Sequence, residues 1–214
     1  MRLASACLFA LLMALAGCRT QAEAEQGGST ARSSRHKEFK QDLASNRETG
    51  KPLDGGEEAR FVDPQGQERL LSSWRGRPVV LVFTRGFAGY VCPWCTSYTA
   101  QIAQRYAEIQ ARGAEVLLVY PATADDKETK DRFIKAVEEL LAEEGAAGLP
   151  FPVFLDPGLA AVKRFNLSGE LSKPSTFVLD ANGVVTYAYV GSAPDERPSV
   201  ERIVKELTAL QKAE

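Results

Sequence analysis

Three textures follow one another along the chain. An apolar run spans Leu3–Ala16, a polar stretch with few large apolar residues runs from Arg19 to about Glu58, and beyond Phe61 short apolar runs alternate with apolar stripes at helical spacing. In this last region Phe61–Leu70, interrupted by Pro64 and Gly66, reads as two short strands around a turn, closed by Trp74–Pro78. Val79–Phe83 is continuously apolar, as a strand buried on both faces requires. Tyr98, Ile102, Tyr106 and Ile109 recur at helical spacing and predict a helix over 96–112, with Gly113 as its stop. A second buried strand is predicted over Glu115–Tyr120. Phe133, Val137, Leu140 and Leu141 then mark an amphipathic helix over 127–144, ending before Gly145 and Gly148.

Phe151–Leu155 reads as a third strand, and Asp156-Pro157 as a helix N-cap with Pro at the first helical position, opening a short helix that ends near Phe165. Thr176–Leu179 and Val184–Val190 flank Ala181-Asn182-Gly183, whose Asn-Gly step suits a tight hairpin turn. Val200, Ile203, Val204, Leu207 and Leu210 make a closing amphipathic helix with Pro198 near its start. The order is hairpin, β, α, β, α, β, α, β, β, α. It predicts one α/β domain with a central mixed sheet, helices on both faces and an N-terminal β-hairpin. The polar stretch before it reads as a flexible tether, with Phe39 and Leu43 forming at most one amphipathic turn on Glu38–Asn46.

Composition narrows the function classes. Of the 214 residues, 44% are hydrophobic and 25% charged, which excludes a wholly disordered chain. The 26 Lys plus Arg against 28 Asp plus Glu give a formal charge of −2 and no support for nucleic-acid binding. The single His, His36, falls in the polar stretch with no Cys, Asp or His cluster around it, so no metal site is expected, and no cofactor is implied.

The N-terminus speaks to destination. A short cationic start at Met1-Arg2, a short apolar core and small residues are the features of an export signal, and the run is too short to span a bilayer comfortably. Leu15-Ala16-Gly17-Cys18 resembles the bacterial lipoprotein signal. That resemblance implies a signal peptide over 1–17, a lipid on Cys18, a tether over 18–58 and a folded domain over 59–214. Arg19 and Thr20 lack the Asp of inner-membrane retention, which favours the outer membrane, facing the periplasm, in a host with two membranes.

The remaining chemistry sits in Cys92-Pro93-Trp94-Cys95, after a buried strand and before a helix. With Cys92 near the helix N-cap, Cys95 lies within reach for a disulfide across the first turn. Unpaired backbone N–H groups and the helix dipole there favour a thiolate. Pro93 suits a helix opening, where its missing N–H costs little. Exposure assigns the roles: Cys92, at the tip, attacks, and Cys95, deeper, resolves the mixed disulfide. A structural disulfide stays open as an alternative, since export permits one, although so short a loop closes little chain. A two-thiolate metal site would need further ligands that the predicted domain lacks.

From Phe61 to Leu210 the chain resembles the thioredoxin-fold redoxins, a superfamily that includes peroxiredoxins of the alkyl hydroperoxide reductase/thiol-specific antioxidant type and membrane-tethered thiol-disulfide oxidoreductases. Tyr90-Val91-Cys92-Pro93 is similar to the aromatic-Val-Cys-Pro run of peroxiredoxins, which implies the peroxidatic position for Cys92. Phe151–Phe165 and Ser175–Asp180 with Asn182-Gly183 resemble later segments of the same fold, which the resemblance implies is thioredoxin-like. The departures matter. Peroxiredoxins carry Pro and Thr or Ser seven and three residues before that Cys, where this chain has Arg85 and Gly89, and an Arg near the place of Pro174. Pro174 instead matches the cis-Pro that faces the pair in thioredoxin-like reductases, next to Ser175 and Thr176.

Arg85 and Lys173 are candidate cations for a thiolate, each against a solvated reading. Trp94 and Tyr90 read equally as a partner-docking patch or as packing, Trp74 and Phe87 as packing, and Asp156 as a cap. The favoured function is an extracytoplasmic thiol-disulfide oxidoreductase acting on a protein disulfide or dithiol, with an electron donor that the sequence does not identify. The alternatives are a thiol peroxidase reducing hydrogen peroxide or alkyl hydroperoxides, and a redox-inactive envelope binding module.

Overall fold

The structure, a computed structural model, describes residues 37–53, 58–86, 89–122, 127–169 and 172–212. Strands β1 (Arg60–Val62) and β2 (Glu68–Leu70) form the hairpin, and a 3-10 turn (Leu71–Trp74) leads into β3 (Val79–Phe83). Helices α1 (Pro93–Gln104) and α2 (Tyr106–Gln110) follow, then β4 (Glu115–Ala122), α3 (Lys127–Glu143), β5 (Val153–Pro157) and α4 (Ala160–Arg164). Strands β6 (Ser175–Leu179) and β7 (Val185–Val190) and helix α5 (Val200–Gln211) complete the order. Among the described residues the strands make one mixed sheet in the order β2-β1-β5-β4-β3-β6-β7. β3 is parallel to β4, β4 to β5, and the other pairings are antiparallel.

The uniformly apolar β3 lies where its composition requires, between β4 and β6 with every side chain buried. Alternation divides it between two cores: Val80 and Val82 join α1, α3 and α5 on one face, and Val79, Leu81 and Phe83 join α4 and the 3-10 turn on the other. Each such side chain contributes about 1.5–3 kcal/mol by burial. The predicted α/β class, the mixed sheet, the hairpin and helices on both faces are all present.

Four local expectations differ. The helix over 96–112 begins earlier, at Pro93, and breaks at Arg105, where φ −104° and ψ 14° leave the helical range. The break turns Tyr106 onto Phe151, ring centres 5.3 Å apart, and Ile109 into the core. Asp156 and Pro157 belong to β5, because Gly158 and Leu159, at φ 65° and 59°, carry a left-handed turn before α4. Asp156 still caps that helix from the strand end, its carboxylate accepting from the Ala161 and Val162 N–H groups at 2.8 and 2.9 Å. Burial raises its pKa, and these hydrogen bonds oppose the rise.

The other two differences concern the expected tether. No helical turn forms on 38–46, and the segment from Lys37 to Pro52 lies against the fold as an extended strap. Lys40 pairs with Pro198. Asn46 donates to the Ala188 and Val190 carbonyls and accepts from the Val190 N–H, and the Gly50 N–H donates to Val185. The strap thus satisfies the open backbone edge of β7, a drive that hydrophobic pattern does not register. The expected signal peptide, Cys18, His36 and Phe87 lie outside the described residues.

Candidate active site

The site grows from the carboxyl end of β3, where the chain crosses to the start of α1. Cys92 is the N-cap residue, with φ −68° and ψ 114°, and Pro93 occupies the first helical position. The Cys92 carbonyl accepts from the Cys95 and Thr96 N–H groups at 3.0 and 3.1 Å, which places Cys95 one turn in on the buried side. Both cysteines are free thiols, 4% and 1% exposed. Gly86 shapes the approach: at φ 83° any Cβ would stand 2.8 Å from the Pro121 carbonyl oxygen, so only glycine fits beside Arg85.

Donors converge on the inner sulfur. The Arg85 backbone N–H and the Arg197 guanidinium Nη2 each donate to Cys95 Sγ at 3.3 Å. The two thiols are also hydrogen-bonded to each other. Burial acts to raise the Cys95 pKa, but the hydrogen bond from Cys92, the Arg197 charge and the Arg85 N–H outweigh it and hold the thiol well below its ordinary value. Cys92 moves up, through its hydrogen bond to Cys95, burial and the neighbouring charge. Beneath the pair, the Tyr98 and Thr176 hydroxyls are 3.1 Å apart, and burial drives the Tyr98 pKa upward. The Thr84 and Thr99 hydroxyls are buried without a hydrogen-bond partner among the described residues. Thr84 directly precedes Arg85, and Thr99 lies one turn beyond Cys95.

The sequence-derived candidates separate into those that reach the pair and those that do not. Arg85 reaches it through its backbone; its guanidinium donates to the Tyr90 hydroxyl at 3.3 Å. Thr176 joins the polar layer, whereas Ser175, one residue earlier in β6, points to the other face and donates to the Lys173 carbonyl. Pro174 is a correction. The Lys173–Pro174 peptide bond is trans, the ordinary state of an X-Pro bond, and the Pro174 carbonyl is taken by the Gly191 N–H at 2.8 Å.

Trp94 is half-buried, edge-on to Phe39 of the strap at 6.2 Å with the Lys37 ammonium 4.8 Å above its ring. Tyr90 is 53% exposed beside Cys92, and Trp74 packs on Phe154. The cation at the sulfur is Arg197 rather than Lys173. Sequence reasoning missed it because it stands 102 residues after Cys95 in a polar loop with no motif around it.

The family model described as AhpC/TSA family matches residues 56–188. Peroxiredoxin Q, chloroplastic, from Oryza sativa subsp. japonica is 31% identical over 146 residues, covering 65% of this chain and 60% of that protein. The chain therefore spans about 60% of the length of this rice relative. Peroxiredoxin 2 from Thermoplasma acidophilum is 28% identical over 144 residues, covering 66% of this chain and 67% of its own length. Among solved structures, Mycobacterium bovis AhpC superposes with a TM-score of 0.59 at 17% identity, over 78% of this chain and 94% of that one, a likeness of fold.

Proposed function

The chain belongs to the AhpC/TSA family, and from that premise we propose that it is a redox enzyme, a peroxiredoxin-like thiol peroxidase. The observation that carries the reading is a hydrogen-bonded pair of free thiols at the start of α1, with a backbone N–H and a guanidinium turned to one of the two sulfurs. Cys92, the outer sulfur, attacks the peroxide oxygen, the O–O bond breaks, and Cys92 becomes a sulfenic acid while an alcohol or water departs. Cys95 then bonds to the sulfenic sulfur and water leaves, giving the Cys92–Cys95 disulfide. An external dithiol returns the pair to the reduced state.

In this reading Thr84, whose buried hydroxyl has no hydrogen-bond partner among the described residues, is the candidate to replace the family hydroxyl missing at Gly89. Peroxide consumption by the full chain, driven by an excess of small dithiol, tests the reading. Turnover is expected to vanish in Cys92→Ser and fall steeply in Cys95→Ser, and equal turnover by all three chains would refute it.

A second reading, thiol-disulfide exchange with a protein substrate, is favoured by the Cys-x-x-Cys spacing and by exposed Tyr90 beside the pair. Faster reduction of insulin than of peroxide would establish it. The Leu15–Cys18 tetrad further supports an exported lipoprotein attached to the cell envelope through Cys18. Acylation of a Cys18→Ala chain would refute that attachment.

A further inference from the structure

Arg197 is 2% exposed in the loop between β7 and α5. Its Nε donates to the Pro194 carbonyl at 3.0 Å, its Nη2 to Cys95 Sγ at 3.3 Å, and its Cζ lies 5.3 Å from the centre of the Tyr98 ring. Among the described residues no carboxylate pairs with it. Glu196, the adjacent acid, instead accepts from the Ser192 N–H and hydroxyl at 2.8 and 2.6 Å. The loop packs closely around this arrangement. A Cβ on Gly191 would stand 2.3 Å from the Glu196 carbonyl oxygen, and the Arg197 carbonyl accepts from Lys40 of the strap.

A guanidinium stays charged at any working pH and is strongly disfavoured in a protein interior without an anion. The group positioned to supply that anion is Cys95. Among the described residues the titratable and charged groups that act on Cys95 are Cys92, at the N-cap of α1, and Arg197, with the Arg85 N–H beside them; Tyr98 on α1 lies under Arg197, and Tyr187 on β7 acts on Tyr98. Burial lifts Tyr98 and Tyr187 above their ordinary values, Tyr187 to about 12, so neither tyrosine supplies a negative charge near neutrality.

We propose that Arg197 is a positioning residue that keeps the negative charge of the reduced pair on Cys95, so that Cys95 serves as proton acceptor for Cys92. The chemistry rests on the peroxidase reading; the placement of charge does not. In the resting state Cys92 is the thiol and Cys95 the thiolate. As the Cys92 sulfur bonds to a peroxide oxygen and the O–O bond breaks, the Cys92 proton passes to Cys95, and the departing alkoxide or hydroxide takes a proton from solvent. Cys95 then bonds to the sulfenic sulfur, and the sulfenic hydroxyl leaves with the Cys95 proton as water. The disulfide has no charge to match Arg197, so the arginine stabilises the reduced state against the oxidised one.

The test is a pH titration of ultraviolet thiolate absorbance on the full chain with Cys7→Ser and Cys18→Ser, comparing added Cys92→Ser with added Cys95→Ser. The Cys92→Ser chain is expected to ionise well below the ordinary thiol value of about 8.5, and the Cys95→Ser chain not. Adding Arg197→Met to the Cys92→Ser chain is expected to raise the proton affinity of Cys95 at least about tenfold, with Arg197→Lys restoring part of the loss. Arg197→Gln, which keeps a donor without the charge, serves the same comparison if the Met variant does not fold. An unchanged Cys95 midpoint in a folded Met or Gln variant, or a low midpoint found only in the Cys95→Ser chain, would overturn the proposal. A chain that titrates as expected yet leaves peroxide untouched would refute the peroxidase reading and leave the charge placement standing.

Discussion

Phe39 of the N-terminal strap meets Tyr98 of the redox helix edge-on, with ring centres 4.9 Å apart. The contact ties a segment of polar composition to the same helix face that carries Cys95, and it makes the strap part of the fold. Phe39→Ala is expected to cost about 3 kcal/mol, the low end for a buried Phe, read as a lower urea midpoint of the reduced protein. A change within about 0.5 kcal/mol would mean that the strap does not contribute to stability.

Thr84 offers a prediction in which structure and function pull apart. A buried hydroxyl without a partner is unfavourable, so Thr84→Val is expected to leave stability unchanged or to raise it by about 1 kcal/mol. Under the peroxidase reading the same change removes the donor to peroxide and lowers kcat/KM about 100-fold, of the order lost with one oriented donor. Full peroxidase efficiency in the Thr84→Val chain would assign the hydroxyl no catalytic part.

Much of this architecture was legible in the chain itself. Val79–Phe83 announced a central strand because five consecutive apolar residues admit few other placements, and Cys92-Pro93 announced a helix start because proline tolerates the first helical position. The strap was not legible. It is held by backbone hydrogen bonds from Lys40, Asn46 and Gly50, by the Asn46 side chain on Val190 and by the single buried ring of Phe39, none of which forms a periodic apolar pattern. Arg197 was hidden for a different reason. An arginine's worth at a sulfur depends on what the fold places 3.3 Å away, and nothing near Arg197 in the sequence carries that information. The trans Pro174 was misjudged because a proline beside a strand looks the same in sequence whichever isomer precedes it.

The depressed Cys95 pKa sets a pH dependence with a definite sign. A thiol ionises to a negative group, so a native value below the unfolded one means the unfolded chain binds more protons in between. The stability contributed by the Cys95 thiolate is therefore complete above the unfolded value of about 8.5 and is lost as pH falls through the lower native value. Across that window the urea midpoint of the reduced protein is expected to fall more steeply on acidification than that of the disulfide form, in which neither Cys92 nor Cys95 titrates. Parallel curves for the two forms would contradict it.

The most direct test of the peroxidase reading is a single turnover. The reduced full chain is mixed with one equivalent of hydrogen peroxide, quenched by alkylation, and the tryptic peptide from Gly86 to Arg105, which holds both cysteines, is weighed. The account predicts that one peroxide is consumed per chain and that the peptide loses two hydrogens as the Cys92–Cys95 disulfide, blocked from alkylation. Persistent peroxide with both thiols alkylated, in a chain that glutathione disulfide does oxidise, would contradict it.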